Sequence, residues 1–230
     1  MTSRNFTLIG AATGWGARRR KTEQGPASLQ RGGLHKNLQA AGINAHWRTI
    51  VRLPEAEADI GPLKRDDTFP YVQRFTKALA DEVQSFARLE PTALPVVLGG
   101  DHSMAIGTWS GLATAHQAEG KFGLIWLDAH LDAHTPETAH EGRWGGFYHG
   151  RPLAVLLGQG EPQLTQLGSK AAKLSPAHVT IIGARSFEPA EKKLLDKLGV
   201  KIVTMDEVNA KGFGPVFADA LARATSGTKG

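Results

Sequence analysis

Apolar and polar residues follow two distinct patterns along the chain. Short apolar or β-branched runs predict strands, and they cover residues 6–12, 47–53, 95–100, 122–129, 178–184 and 201–205. Between them, amphipathic spacing predicts helices, at residues 25–42, 71–89, 103–117, 189–199 and 214–224. Strands that alternate with helices of this length indicate right-handed βαβ crossovers and a mostly parallel sheet covered by helices on both faces.

The length of the chain limits its organisation. It has 230 residues, of which 41% are hydrophobic, so we expect one α/β domain over residues 1–230. No stretch reaches the roughly 18 to 20 consecutive apolar residues that a membrane span needs, and the first residues lack a signal-peptide pattern. We therefore expect a soluble, cytoplasmic protein without a membrane partner.

Charge and cysteine content narrow the chemistry. The net charge is +5, but a solvated loop explains the basic run at residues 18–21 better than a nucleic-acid interface does, because the run lacks interleaved aromatic residues. The chain has no cysteine, which excludes disulfides, thiolate metal sites and a cysteine nucleophile. Any bound metal must therefore use oxygen and nitrogen ligands.

A cluster of potential ligands follows the apolar run at residues 122–127. Asp128, His130, Asp132 and His134 stand at alternate positions, so the first three would share one face if the strand continued past Leu127. Open parallel sheets bind ligands at the carboxyl ends of their strands, where this cluster falls. By itself, the run is equally compatible with a solvated loop.

A second candidate motif is GGDHS at residues 99–103. Its two glycines permit a sharp turn that would bring His102 to the same sheet edge, although Gly-Gly-Asp before a helix is more often a simple turn with a capping residue. Two such motifs at consecutive strand ends together predict a metal site. Mn²⁺ suits these ligands best, with Fe²⁺, Co²⁺, Ni²⁺ and Zn²⁺ as alternatives.

The two motifs together resemble those of the arginase-type ureohydrolases, the superfamily of arginases, agmatinases and formimidoylglutamases. GGDHS and DAHLD, residues 128–132, match the first two metal motifs of that superfamily. Further segments follow in the same order, namely GWGARRRKTEQGPASL, HTPET, HGRP and IIGARSFEPAEKKLLDKLGVKIVTMDEV. The resemblance covers essentially the whole chain, is closer to arginases than to agmatinases, and implies a three-layer α/β/α fold with a mostly parallel sheet.

The resemblance also implies roles for individual residues. His102 would bind one Mn²⁺ and His130 the other, while Asp128 would bridge both ions and Asp132 would complete the shell of the first. His149, in HGRP, would transfer a proton to the leaving amine. The implied reaction is attack on a guanidinium carbon by a hydroxide shared between the ions, which releases urea and an amine.

The chain departs from the superfamily pattern beyond these motifs. The third metal motif, Ser-x-Asp-x-Asp-x-x-Asp-Pro, supplies two further aspartates, but no Asp-x-Asp occurs after Asp132 in the 230 residues. The glutamate that holds the guanidinium is absent as well. In the superfamily, the missing strands lie at the centre of an eight-stranded sheet. We therefore expect the 230 residues alone to be unstable or inactive, and the natural protein to be longer.

The predicted substrate wall differs from that of arginases. His134 and Glu141 match the Asn and Ser that contact the amino acid's carboxylate, and an ionised Glu141 would repel that group. Glu188 matches the acidic residue that holds the substrate's amino group. Arginine is the expected substrate; agmatine, guanidinobutyrate or formimidoylglutamate, and a non-catalytic truncated fragment, are alternatives. We expect no nucleic-acid partner, and the resemblance implies a homo-oligomer, a trimer or hexamer.

Overall fold

The computed structural model describes residues 4–18, 20–54, 65–120, 122–140 and 146–228. The chain divides into two compact units, residues 1–115 and 116–230. Each unit has its own sheet, and all the strand pairs in both sheets are parallel. The expectation of a single domain over residues 1–230 stays a prediction.

The first unit is built on β1 (Phe6–Ala12), β2 (Ala45–Arg52) and β3 (Leu94–Gly99), in the order β2-β1-β3. The central strand is the most buried because it has a neighbour on each side; Leu8, Ile9 and Ala11 are at most 1% exposed. This unit also contains α1 (Gly25–Arg31), α2 (Leu34–Ala40), α3 (Phe69–Leu89) and α4 (Met104–Ala115).

The predicted helix at residues 25–42 is divided into α1 and α2. Gly33 lies between them with a φ of 75°, a left-handed conformation that a continuous right-handed helix does not allow. The long prediction at residues 71–89 is confirmed as α3, which packs against α4. Gly107 of α4 permits this close approach, because a Cβ there would lie 2.7 Å from the Thr76 carbonyl oxygen.

The second unit contains β4 (Phe122–Leu127), β5 (Leu174–Ala184) and β6 (Lys201–Thr204), in the order β4-β5-β6. Its helices are α5 (Pro152–Leu156), α6 (Pro162–Thr165), α7 (Pro189–Leu198), α8 (Met205–Lys211) and α9 (Phe213–Thr225). The last two helices and the sheet share an apolar core of Ile182, Val203, Val208, Val216 and Ala220.

Strand β4 ends at Leu127. The prediction that the strand continues to residue 129 is therefore wrong, and residues 128–134 are irregular. The reason is a contact with the neighbouring strand. Gly183 on β5 has a φ of 97°, and the Asp128 amide donates to the Ile182 carbonyl before the chain turns away. Within the described ranges, no helix is long and apolar enough to cross a membrane.

Candidate active site

The segment after β4 is fixed to the end of β5 by backbone hydrogen bonds. The amides of Arg185 and Ser186 both donate to the Ala129 carbonyl, at 2.9 and 3.0 Å. These bonds replace the strand ladder, which ends at Leu127. Asp128 and His130 are therefore positioned by a turn at the carboxyl edge of the sheet and not by strand alternation.

Asp128 organises this turn with its side chain. Its Oδ1 accepts a hydrogen bond from the His130 amide at 2.9 Å and lies 3.3 Å from His130 Nδ1. A carboxylate oxygen of Asp128 also lies within 4.8 Å of one of Asp132. His130 is more open, since its side chain is 56% exposed. The predicted ligands Asp128, His130 and Asp132 therefore lie together, although not by the strand geometry that the sequence suggested.

Asp132 is held in an unusual conformation. Its φ is 48°, in the left-handed region that a non-glycine residue enters at a cost of about 1–2 kcal/mol. The surrounding structure compensates, because the Leu153 amide donates to the Asp132 carbonyl at 2.9 Å and the buried Glu191 binds the next amide, that of Ala133, at 3.0 Å. Strained residues of this kind are concentrated at functional sites.

His102 lies in the first unit, between β3 and α4. Its turn is fixed by the preceding residue: Asp101 Oδ1 accepts from the Ser103 amide at 2.9 Å, and Asp101 Oδ2 accepts from the Gly16 amide at 3.0 Å. The turn that the sequence suggested is therefore present, and the Asp101 side chain fixes it. It does not exclude a ligand function, because His102 is a different side chain of the same turn.

A cavity of about 310 Å³ opens beside the residues that follow β4. It gathers most of the predicted site residues of the second unit, and its lining consists of His130, Asp132, His134, His149, Gly150, Ser186, Glu188 and Glu191. Glu141, predicted to border the substrate, lies outside the described residues. Asp128 lines an adjoining hollow with Leu127 and Arg185.

One wall of the cavity is an imidazole between two carboxylates. His134 Nε2 lies 3.2 Å from Glu188 Oε2 and 3.3 Å from Glu191 Oε2. His134 Nδ1 lies 3.2 Å from the Thr138 hydroxyl. The two glutamates belong to one local motif, because Glu188 is the N-cap of α7 and exchanges capping hydrogen bonds with Glu191. A wall of this composition favours a bound cation.

Glu191 is the site residue that the sequence analysis missed. Burial raises its pKa to about 8; the Ala133 and Glu188 amides oppose this rise, whereas the nearby Glu188 carboxylate adds to it. The available signal was an acidic residue three positions after the N-cap, typical of a capping box. That signal predicts where a helix starts, but it contains no information about whether the glutamate is buried.

His149 belongs to a single 3₁₀ turn, Tyr148–Gly150. The turn reaches the cavity wall because the His134 amide donates to the Gly150 carbonyl at 3.0 Å. His149 therefore lines the same cavity as Glu188 and Asp132. The structure thus brings the predicted proton-transfer residue to the side chains predicted to bind substrate.

The donors after β4 fit a divalent metal ion. Asp128, His130 and Asp132 offer carboxylate oxygens and imidazole nitrogens without sulfur, a combination typical of Mn²⁺ and related ions. The proximity of the two carboxylates supports this fit, since like charges this close favour a cation between them.

The chain is similar in sequence to known arginases. The Arginase family model matches residues 4–230. The arginase of Bacillus caldovelox is 34% identical over 230 residues, covering 98% of this chain and 73% of that protein. The arginase of Bacillus subtilis is 34% identical over 221 residues, covering 95% and 70%.

Solved arginase structures are also similar to this chain in fold. The Bacillus caldovelox arginase structure superposes with a TM-score of 0.84 at 33% identity, covering 99% of this chain and 73% of that one. For the Bacillus subtilis arginase structure, the TM-score is 0.81 at 32% identity, with 97% and 71% covered. The predicted arginase-like α/β fold is confirmed.

Proposed function

Because the chain belongs to the arginase family, a family of metal-dependent hydrolases that act on C–N bonds, we propose that it hydrolyses the guanidino group of arginine to urea and ornithine with manganese as its cofactor. One observation carries this proposal: a single cavity is lined by His130, Asp132, His149 and Glu188. These side chains are the ones required for metal binding, proton transfer and recognition of an ammonium group.

The proposed cofactor site uses His102, Asp128, His130 and Asp132. When bound, Mn²⁺ supplies an activated water near neutral pH and polarises the carbon that the water attacks. Asp128 prepares the site by holding the His130 amide, which limits the conformations open to the imidazole. Loss of Asp128 is therefore expected to remove one ligand and to release another.

The remaining steps use the chain's own side chains. Glu188 binds the substrate's ammonium group, which orients the guanidinium towards the metal ligands. Water adds to the guanidinium carbon and gives up its two protons, and the bond from that carbon to the amine nitrogen breaks. His149 delivers one of these protons to that nitrogen and the other leaves to solvent, so that a neutral amine and urea separate.

The wall of His134, Glu188 and Glu191 supports recognition of a cationic tail more directly than recognition of a carboxylate. For this reason agmatine, which ends in an ammonium group, is the second candidate substrate. Guanidinobutyrate, which ends in a carboxylate, is the informative contrast because the Glu188 carboxylate would repel it.

The proposal is tested by measuring urea release from arginine, agmatine and guanidinobutyrate. Both the 230-residue chain and the complete reading frame are assayed after loading with Mn²⁺ or treatment with a chelator. We expect release from arginine that requires Mn²⁺ in at least one of the two chains. Absence of urea from every guanidino compound in both would refute a ureohydrolase function.

The metal assignment is tested separately, by direct measurement of bound Mn²⁺. Asp128→Ala is expected to abolish stoichiometric binding. Asp81→Ala is the matched control, because Asp81 is an exposed carboxylate that pairs with Lys77 on the same helix. Unchanged manganese stoichiometry in Asp128→Ala would contradict the assignment. Light scattering tests the proposed trimer or hexamer.

A further inference from the structure

We propose that Arg151 and Glu161 act together as positioning residues, holding the turn that presents His149 to the cavity; this inference rests on the proposed function of His149. Arg151 directly follows the turn in sequence. Glu161 comes from a separate element, at the start of α6. The two side chains form an ion pair, and the structure shows how that pair reaches the turn.

The turn has little intrinsic stability. It is one 3₁₀ turn, closed by short-range hydrogen bonds from the Gly150 amide to the Phe147 carbonyl at 3.1 Å and from the Arg151 amide to the Tyr148 carbonyl at 3.2 Å. An isolated turn of this kind is unfavourable because few bonds compensate for the ordered backbone. Its conformation therefore depends on tertiary contacts.

The guanidinium of Arg151 supplies such contacts on two sides. Its central carbon lies over the Tyr148 ring, 4.4 Å from the ring centroid, and its NH2 group donates to the Gly146 carbonyl at 3.4 Å. The Arg151 side chain thus binds a residue two positions before the turn and covers a residue within it. The side chain is only 4% exposed, so its position is determined by packing.

Glu161 determines where the guanidinium lies. Its carboxylate binds Arg151 NH1, and its own backbone is fixed because its carbonyl accepts from the Leu164 and Thr165 amides, both at 3.0 Å. A buried arginine requires a charged partner. The ion pair therefore transmits the position of α6 to the His149 turn.

His149 depends on this ion pair because it belongs to the turn that Arg151 contacts. Its ring stacks with Phe147 at a centroid distance of 6.0 Å and an interplanar angle of 25°. Displacing the Tyr148–Gly150 backbone would move the imidazole relative to Glu188 across the cavity. Because proton transfer needs hydrogen-bond geometry, a displacement of about 1 Å is enough to reduce turnover substantially.

Arg151→Lys separates positioning from stability. Lysine keeps the positive charge and can pair with Glu161, but it lacks the planar fork that also reaches Gly146 and stacks on Tyr148. In the complete reading frame, we expect kcat for arginine to fall about 10- to 100-fold, which is at most the effect of a 1 Å misplacement and less than the loss of the general acid itself. KM should stay within about twofold, because ground-state binding is retained.

Glu161→Gln should have a similar effect on kcat. The double variant should be within about twofold of the more affected single variant, because residues that act as one unit are not additive. The matched control is Glu82→Gln, which removes one carboxylate from the Arg48 ion pair in the other unit. That control should leave kcat and KM unchanged.

The ring signals of His149 in NMR spectra provide a readout that does not need activity. We expect both Arg151→Lys and Glu161→Gln to shift or broaden them and to leave the ring signals of His178 in place. Unchanged His149 signals, with wild-type kcat, would overturn the proposal. If the wild-type protein releases no urea, the proposed function fails. The His149 signals alone then decide whether the Arg151–Glu161 ion pair positions the His149 turn.

Discussion

Glu191 provides a sharp test of how burial controls this site. It is 3% exposed, and its carboxylate accepts hydrogen bonds from the Ala133 and Glu188 amides, both at 3.0 Å. Burial raises its pKa to about 8 from an ordinary value of 4.5. The folded protein therefore keeps a proton that the unfolded chain has lost between these two pH values.

The sign of the resulting pH dependence follows from proton binding. Where the folded state binds more protons than the unfolded state, the free energy of unfolding decreases as pH rises. The contribution of Glu191 is thus fully present below pH 4.5 and is lost as pH approaches 8. At about 1.4 kcal/mol for each pH unit, the interval corresponds to at most about 5 kcal/mol.

Glu191→Gln removes the titration and keeps the shape. Glutamine has one acceptor oxygen, whereas the two oxygens of Glu191 accept one backbone amide each, so at pH 5 we expect the variant to be less stable by about 1–3 kcal/mol. Because glutamine stays neutral, this deficit should shrink or reverse by pH 8. The assay is urea-induced unfolding of the metal-free protein at several pH values between 5 and 8.

Glu207 is a matched control because it occupies the same position in another capping box, that of Thr204 and α8. Its pKa is lowered, first by the hydrogen bond from the Thr204 amide and also by Lys211. The stability contribution of Glu207 is present above its ordinary pKa and is lost as pH falls, so Glu207→Gln should differ from the wild type by a constant amount between pH 5 and 8. A constant difference for Glu191→Gln as well would refute the reasoning.

Two further predictions concern the second unit. Lys173→Met should lower the free energy of unfolding by about 2–4 kcal/mol. The reason is that the buried Lys173 ammonium donates to the carbonyls of Thr165, Ser169 and Ala171, at 2.7 to 2.9 Å. A change below about 0.5 kcal/mol in urea unfolding would contradict this prediction. Gly183→Ala should cost about 1–3 kcal/mol and weaken Mn²⁺ binding, because Gly183 has a φ of 97° and a Cβ would lie 3.3 Å from the Asp128 carbonyl. Gly199→Ala is the control, because Gly199 also has a positive φ but faces open space, and it should leave Mn²⁺ affinity unchanged. Equal losses of affinity in the two variants would contradict the role given to the contact between residue 183 and Asp128.

The regular elements were largely predictable from the sequence. The prediction for residues 6–12 coincides with β1, and those for residues 71–89 and 189–199 agree with α3 and α7 within a few residues. These predictions succeed because a fully buried strand produces an apolar run, and a helix buried on one face produces a helical period. The short helices α5 and α6 were missed because neither is long enough to show a period.

The candidate site was predictable only in part. The sequence identified Asp128, His130 and Asp132 as a group, but it assigned them to a continuing strand. The turn that holds them depends on Ala129 and on the end of β5, more than fifty residues later in the chain. Similarly, nothing near Arg151 in the sequence indicates that Glu161 would bind it.

The sequence by itself determined the α/β class, the two metal-type motifs and membership of the arginase family, because periodicity and motif spacing are local properties of the chain. Only the tertiary structure decided that Glu191 is buried and has a raised pKa, that His134 lies between two glutamates, and that Arg151 pairs with Glu161 beside the His149 turn. The physical reason is common to all three. The electrostatic environment of a side chain depends on which distant residues exclude water from it, and that is determined by the packing of the folded chain.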